Sequence, residues 1–168
     1  MDFVEGAGLA FQNWVENALY FPEALIGPDG ELADRVARIP VREQWAVMEM
    51  LSQLTGTHTF VARRPERAGL AISFDDRRWD CFIPYRAPGV TRTGPRDYAR
   101  GSLRFSLSDA EVMFYEAADG TRTIRQILDL PGLAHIARTE RDAFGRRFFD
   151  TAWKCAHLMI ARANALDG

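Results

Sequence analysis

The sequence predicts an α+β protein in which helical and strand-forming segments are segregated along the chain. Three observations carry this. Apolar residues recur at helical intervals in the first third, alternate one by one through the middle, and return to helical intervals after residue 108. Ser108-Asp-Ala-Glu111 and Thr123-Ile-Arg-Gln126 fit the capping-box pattern that opens a helix. Clusters of Gly and Pro fall between these textures. The expected organisation is an N-terminal helical segment over residues 1–56, then a second domain over 57–168. That domain should hold a three- to four-stranded antiparallel sheet and three helices.

Each element has its own reason. Leu9, Phe11, Trp14, Val15, Ala18 and Leu19 predict a helix over Ala7–Leu19, ended by Phe21-Pro22. Gly27-Pro28-Asp29-Gly30 is a turn signal, followed by a short helix over Glu31–Arg38. Pro40 opens another helix, with Trp45, Val47, Met48, Leu51 and Leu54 on its apolar side and Thr55-Gly56 at its end. Strands are expected at Thr57–Arg63, Gly69–Phe74 and Trp79–Tyr85, joined by turns at Arg64–Ala68 and Asp75–Arg78. The Pro and Gly content of Ala87–Gly101 predicts a loop or flap. Ser102–Leu107 alternates again, with Leu103, Phe105 and Leu107 on one face. Two capped helices follow, parted by Asp119-Gly120, and the second ends at Pro131-Gly132. A long last helix is expected over Thr139–Ala163, opened by the looser cap Thr139-Glu-Arg-Asp142. Its two neighbouring apolar stripes require burial on two sides.

Composition excludes several classes. About half of the 168 residues are apolar and a quarter are charged, which rules out a disordered tail, a collagen-like chain and a disulfide-knotted miniprotein. Cys81 and Cys155, isolated in apolar surroundings, read as buried thiols of a reducing compartment, and neither a signal peptide nor an apolar run of membrane-spanning length is expected. A cytoplasmic protein is expected, with no membrane partner. Net charge is −2, distributed as −6 over residues 1–62, +5 over 63–104 and −1 over 105–168. The basic third, almost all Arg, reads equally as a patch that steers an anionic partner or as a solvated, internally paired surface.

Chemistry is not visible. His58, His135 and His157 lack the further ligands of a zinc site, and Cys155-x-His157 alone does not make one. No nucleophile elbow or phosphate-cradling loop occurs, and Asp75-Asp76 sits in a turn beside Arg77-Arg78. No catalytic residue, metal ligand or cofactor is expected.

Strands that run into a capped helix, an Asp-Gly turn, a short helix and a long helix follow the order of a winged helix-turn-helix unit. Within it, Ser102 to Ile127 resembles the peptide chaperone of pyrroloquinoline-quinone biosynthesis, through Asp119-Gly120-Thr121-Arg122-Thr123-Ile124-Arg125-Gln126-Ile127. That chaperone belongs to the recognition elements of ribosomally made, modified peptides. The resemblance implies a non-catalytic subunit that takes a leader peptide as an added strand, in a groove walled by the third helix. It also implies peptide contacts at Leu103, Arg104, Phe105 and Ser106, with Arg141, Phe144, Gly145 and Phe148 opposite.

Two features depart from the family pattern: the long 87–101 segment and residues 1–56. Such an extension is similar in kind to accessory subunits that pair with multinuclear iron oxidases in peptide-modifying pathways. The expected partners are a precursor peptide and a modifying enzyme in a hetero-oligomer. Two other classes stand beside this one: a winged-helix DNA-binding regulator, and a small enzyme or small-molecule sensor with a pocket under the 87–101 segment. The short helix after Asp119-Gly120 offers a DNA groove only Arg122, Arg125 and Gln126, which argues against a nucleic-acid partner.

Overall fold

The computed structural model describes residues 2–27, 30–52, 56–70, 72–101 and 103–162. Helices and small antiparallel sheets are mixed, so the fold class is α+β. The chain forms two compact units, Met1–Ser73 with Lys154–Ala156, and Phe74–Trp153 with His157–Gly168. Among the described residues no helix is long and apolar enough to cross a membrane.

The first unit contains α1 (Asp2–Gly6), β1 (Ala10–Trp14), α2 (Pro22–Leu25), α3 (Glu31–Ala37), α4 (Val41–Leu51) and β2 (Phe60–Arg63). Strands β1 and β2 pair antiparallel, so this region is not purely helical, and the first compact unit runs to Ser73. The helix expected over Ala7–Leu19 is instead a bulged strand followed by a single 3-10 turn at Asn17–Leu19. The reason is local. The register shifts between Phe11 and Asn13, which turns Phe11 and Trp14 to the same side, their rings 5.0 Å apart. A bulge thus produces the three-residue spacing of a helix inside a strand. Trp45 of α4 and Phe60 of β2 complete the aromatic layer, at 5.0 and 6.0 Å from Phe11. The helices expected at Glu31–Arg38 and after Pro40 are present as α3 and α4. The end expected at Leu54 and Thr55, and the centre of the Gly27–Gly30 turn, lie outside the described residues.

The second unit contains β3 (Phe82–Arg86), β4 (Thr91–Arg92), β5 (Asp97–Arg100), β6 (Leu103–Ser106), α5 (Asp109–Ala117), α6 (Ile124–Leu128), α7 (Arg138–Lys154, whose last residue counts with the first unit) and β7 (Leu158–Arg162). Strands β4, β5 and β6 form a three-stranded antiparallel meander that leads straight into α5, α6 and α7. The expected order of three strands and three helices is therefore present, but two of its strands come from the segment expected to be a flap. Ala87–Gly101 is a hairpin: Thr93 donates to the Asp97 carbonyl at 2.8 Å, and Arg92 Nε donates to the Gly94 carbonyl at 3.0 Å.

Three further expectations are corrected. Gly69–Phe74 forms no strand among its described residues, because Pro65–Leu70 is a 3-10 segment. Trp79–Cys81 is likewise a 3-10 turn, which leaves Cys81 exposed rather than buried, and in the strand that follows Phe82 and Pro84 are buried. The last helix stops at Lys154, sixteen residues after it begins at Arg138, and Thr139 lies inside it rather than at its cap. Its end is a left-handed turn with φ 55° at Ala156, where the His157 amide donates to the Ala152 carbonyl at 2.8 Å. Residues beyond it pair with β3 from Phe82↔Arg162 to Arg86↔Leu158. On the other side of β3, the Arg86 amide donates to Ala118 and the Gly120 amide to the Pro84 carbonyl. Pro84 thus sits where β7 requires no N–H from it.

The core of this unit is Phe114, Tyr115, Ile124, Ile127, Leu128, Leu133 and Phe149, all at most 1% exposed. Each of these side chains contributes roughly 1.5–3 kcal/mol by burial. Both capping boxes form: Ser108 and Glu111 bond reciprocally, as do Thr123 and Gln126.

Candidate functional site

The candidate site begins at the open edge of a strand. In the meander, β6 has β5 on one side and, among the described residues, no strand on the other. Leu107 donates to the Arg96 carbonyl at 2.9 Å, which makes 107 and 96 a hydrogen-bonded pair. By the two-residue period, Phe105 bonds Tyr98 and Leu103 bonds Arg100, while the amides and carbonyls of Arg104 and Ser106 point outward. The sequence places charge on this edge. Arg104 is exposed and has no ion pair or hydrogen bond among the described residues. Ser106 Oγ donates to Asp97 Oδ1 at 2.6 Å.

The inward face of β6 is aromatic. Phe105 stacks on His157, with ring centroids 3.7 Å apart and planes within 10°, and meets Tyr98 and Tyr115 at 5.5 and 5.8 Å. Burial, with Arg100 second, pushes the His157 imidazole down to about 4, so it is neutral at ordinary pH. Burial also pushes Tyr98 and Tyr115 up to about 12; at Tyr98 a 2.7 Å hydrogen bond to Glu116 adds to it.

A second feature lies between α5 and α7. Ala110, Phe114, Leu133, Ile136, Glu140, Arg141 and Phe144 line an open hollow of about 210 Å³. Its walls are almost wholly apolar. Arg141 donates to the Leu128 carbonyl at 2.7 Å, and its Nε is buried with no hydrogen-bond partner among the described residues.

The eight expected contact residues therefore divide. Arg104 and Ser106 present the open edge, while Leu103 and Phe105 bond back to β5 and face inward. Arg141 and Phe144 meet in the hollow. Gly145 and Phe148 are core: a Cβ at Gly145 would meet a Leu128 methyl at 2.5 Å, and Phe148 is 5% exposed beside Phe114. The two halves also meet different sides of α5, Tyr115 facing the meander and Phe114 facing α7. Sequence reasoning missed Ala110, Leu133, Ile136 and Glu140. Ala110 and Phe114 are one turn apart on α5, the signal that could have joined them.

Part of the basic third is paired within its own unit. Arg86 and Arg92 face Glu116 at 2.8 and 3.8 Å, and Arg96 holds Asp109 through two nitrogens. Arg122 and Arg125, the cations nearest the short helix, are held by Asp119 and Asp80. Among the described residues no three His, Cys, Asp or Glu side chains gather as metal ligands would. No family model matches the chain.

Proposed function

We propose that this chain is a non-catalytic accessory subunit, acting in the cytoplasm, that binds a ribosomally made precursor peptide by strand addition on β6. It would present that peptide to a modifying enzyme, which we take to be an iron-dependent oxidase. One observation carries the reading: β6 offers outward amides and carbonyls at Arg104 and Ser106, beside an unpaired guanidinium. An open edge accepts an extended guest through main-chain bonds, and a neighbouring cation favours an acidic one. The hollow at Arg141 and Phe144 supports it, as a place for one apolar side chain of the guest. Exposed Phe3, Leu32 and Met50 in the first unit give apolar area suited to an enzyme partner. Regulation of DNA by α6 is disfavoured because Arg122 and Arg125 are already paired.

The test is co-expression with the peptide and enzyme encoded beside this chain, followed by co-purification and titration of the peptide. Arg104→Pro removes an outward amide and should weaken peptide binding roughly tenfold or more while the circular dichroism stays unchanged. Phe105→Pro removes a bond to β5 and should destabilise the fold by about 1–3 kcal/mol. Co-purification of nothing, or full binding by the Arg104→Pro protein, refutes the reading.

A further inference from the structure

The first unit holds a chain of groups that peptide binding does not use. Tyr20, 3% exposed, places its hydroxyl 2.6 Å from His58 Nδ1. On the far side of that imidazole, Nε2 lies 3.3 Å from Glu49 Oε1. A carboxylate only accepts, so it keeps the imidazole proton on Nε2 and leaves Nδ1 as the acceptor of the phenol proton. The Tyr20 ring lies flat on the Trp14 indole, 3.7 Å between centroids and 7° between planes. Trp14 in turn meets Trp45 edge-on at 5.5 Å. Both indole Nε1 atoms are buried with no hydrogen-bond partner among the described residues.

These contacts rank the three rings by what happens to a proton when an electron leaves. An oxidised indole whose N–H faces no acceptor stays a cation in apolar surroundings, which is costly. An oxidised phenol beside an imidazole releases its proton along an existing hydrogen bond, and the imidazolium formed faces a carboxylate. Burial, then Glu49 and Glu16, push the Tyr20 phenol up, so at rest it is neutral and its proton leaves only with an electron. Its depth puts the hydroxyl out of reach of a substrate, so a nucleophilic role is excluded.

We propose that Trp45, Trp14 and Tyr20 form an electron-transfer path ending in a proton-coupled tyrosyl radical at Tyr20, with His58 and Glu49 as the accepting pair. The reactant is a one-electron oxidant strong enough to oxidise an indole. It takes one electron from the tryptophan pair and is reduced by one. The indole radical cation takes an electron from Tyr20, and the Tyr20 O–H bond breaks with its proton passing to His58 Nδ1. A neutral indole, a tyrosyl radical and an imidazolium–carboxylate pair result, and charge is conserved. The path stands independently of peptide binding.

The experiment is flash oxidation of the full chain by a photogenerated ruthenium(III) polypyridyl complex, followed by freeze-quench electron paramagnetic resonance. The wild type should give a tyrosyl signal that narrows on ring-deuteration of tyrosine. Tyr20→Phe, which removes only a hydroxyl, should replace it with an indole radical. His58→Gln should lower the tyrosyl yield roughly tenfold. Tyr98→Phe, which removes a phenol hydrogen-bonded to the Glu116 carboxylate rather than to an imidazole, should leave the signal unchanged. A tyrosyl signal that survives Tyr20→Phe, disappears with Tyr98→Phe or ignores His58→Gln overturns the proposal, as does a wild type that yields only indole radicals. Near-ultraviolet circular dichroism establishes that each variant is folded.

Discussion

Of the ten largest fully buried side chains among the described residues, nine belong to the second unit and only Met48 to the first. The exposed ones show the reverse. Nine of the eleven exposed large apolar side chains lie between Phe3 and Val61, and only Met113 and Met159 fall in the second unit. Helix ends differ in the same sense. In the second unit α5 and α6 carry full capping boxes, whereas α2, α3 and α4 begin at Phe21, Gly30 and Pro40 with no side-chain cap. The second unit is thus defined by a filled core and satisfied helix ends. The first is an aromatic layer with apolar surface left outward. Local order in the second unit is stabilised internally, while the first keeps more of its large apolar side chains at the surface.

That contrast can be broken most directly in the core. Phe149→Ala empties a site that is 0% exposed and should cost about 3–5 kcal/mol in denaturant unfolding. Met50→Gln, at a side chain 72% exposed in the first unit, should change stability by no more than about 0.5 kcal/mol. Equal effects would refute the comparison.

Next comes pH. The folded pKa of His157 is about 4 against 6.5 for the free group. The unfolded chain therefore binds the extra proton first, so stability is full above pH 6.5 and falls until about pH 4. The loss approaches about 3 kcal/mol. His157→Gln should flatten that part of the pH–stability curve; an unchanged slope would mean that the stacked imidazole does not set it.

The smallest effects sharpen the comparison at helix ends. Ser108→Ala and Thr123→Ala should each cost about 1 kcal/mol. If either proves neutral in thermal unfolding, the capping boxes do not distinguish the second unit.

Legibility followed the range of the interactions. The capping boxes, the Asp119-Gly120 turn and the face of β6 were readable, because each depends on residues at most four apart. Gly120 has φ 82°, a left-handed conformation that glycine adopts without strain. The bulged β1 and the strand β7 carry a helical signature in the sequence, because Phe11 and Trp14, or Cys155 and Met159, fit a helical stripe equally well. Only their pairing with Phe60–Arg63 and Phe82–Arg86 decides between the two periods. The 87–101 segment hides its strands for a similar reason: its Gly and Pro residues announce a turn, not the strands on either side.

The candidate site divides the same way. Arg104 and Ser106 share an alternating face in any strand, so their exposure follows from the sequence. That their amides point outward depends on which neighbour β6 takes, and β5 became a strand only through its partners. The Tyr20, His58 and Glu49 contact joins positions up to 38 residues apart and has no trace in local pattern.

By itself, then, the sequence determined the α+β class, the starts of α5 and α6 and the uneven charge, since composition and short-range capping carry them. The tertiary structure alone decided where the units divide, which edge stays open and which acids neutralise the arginines. Those outcomes depend on burial and pairing between distant segments, where a single register or bulge changes every neighbour.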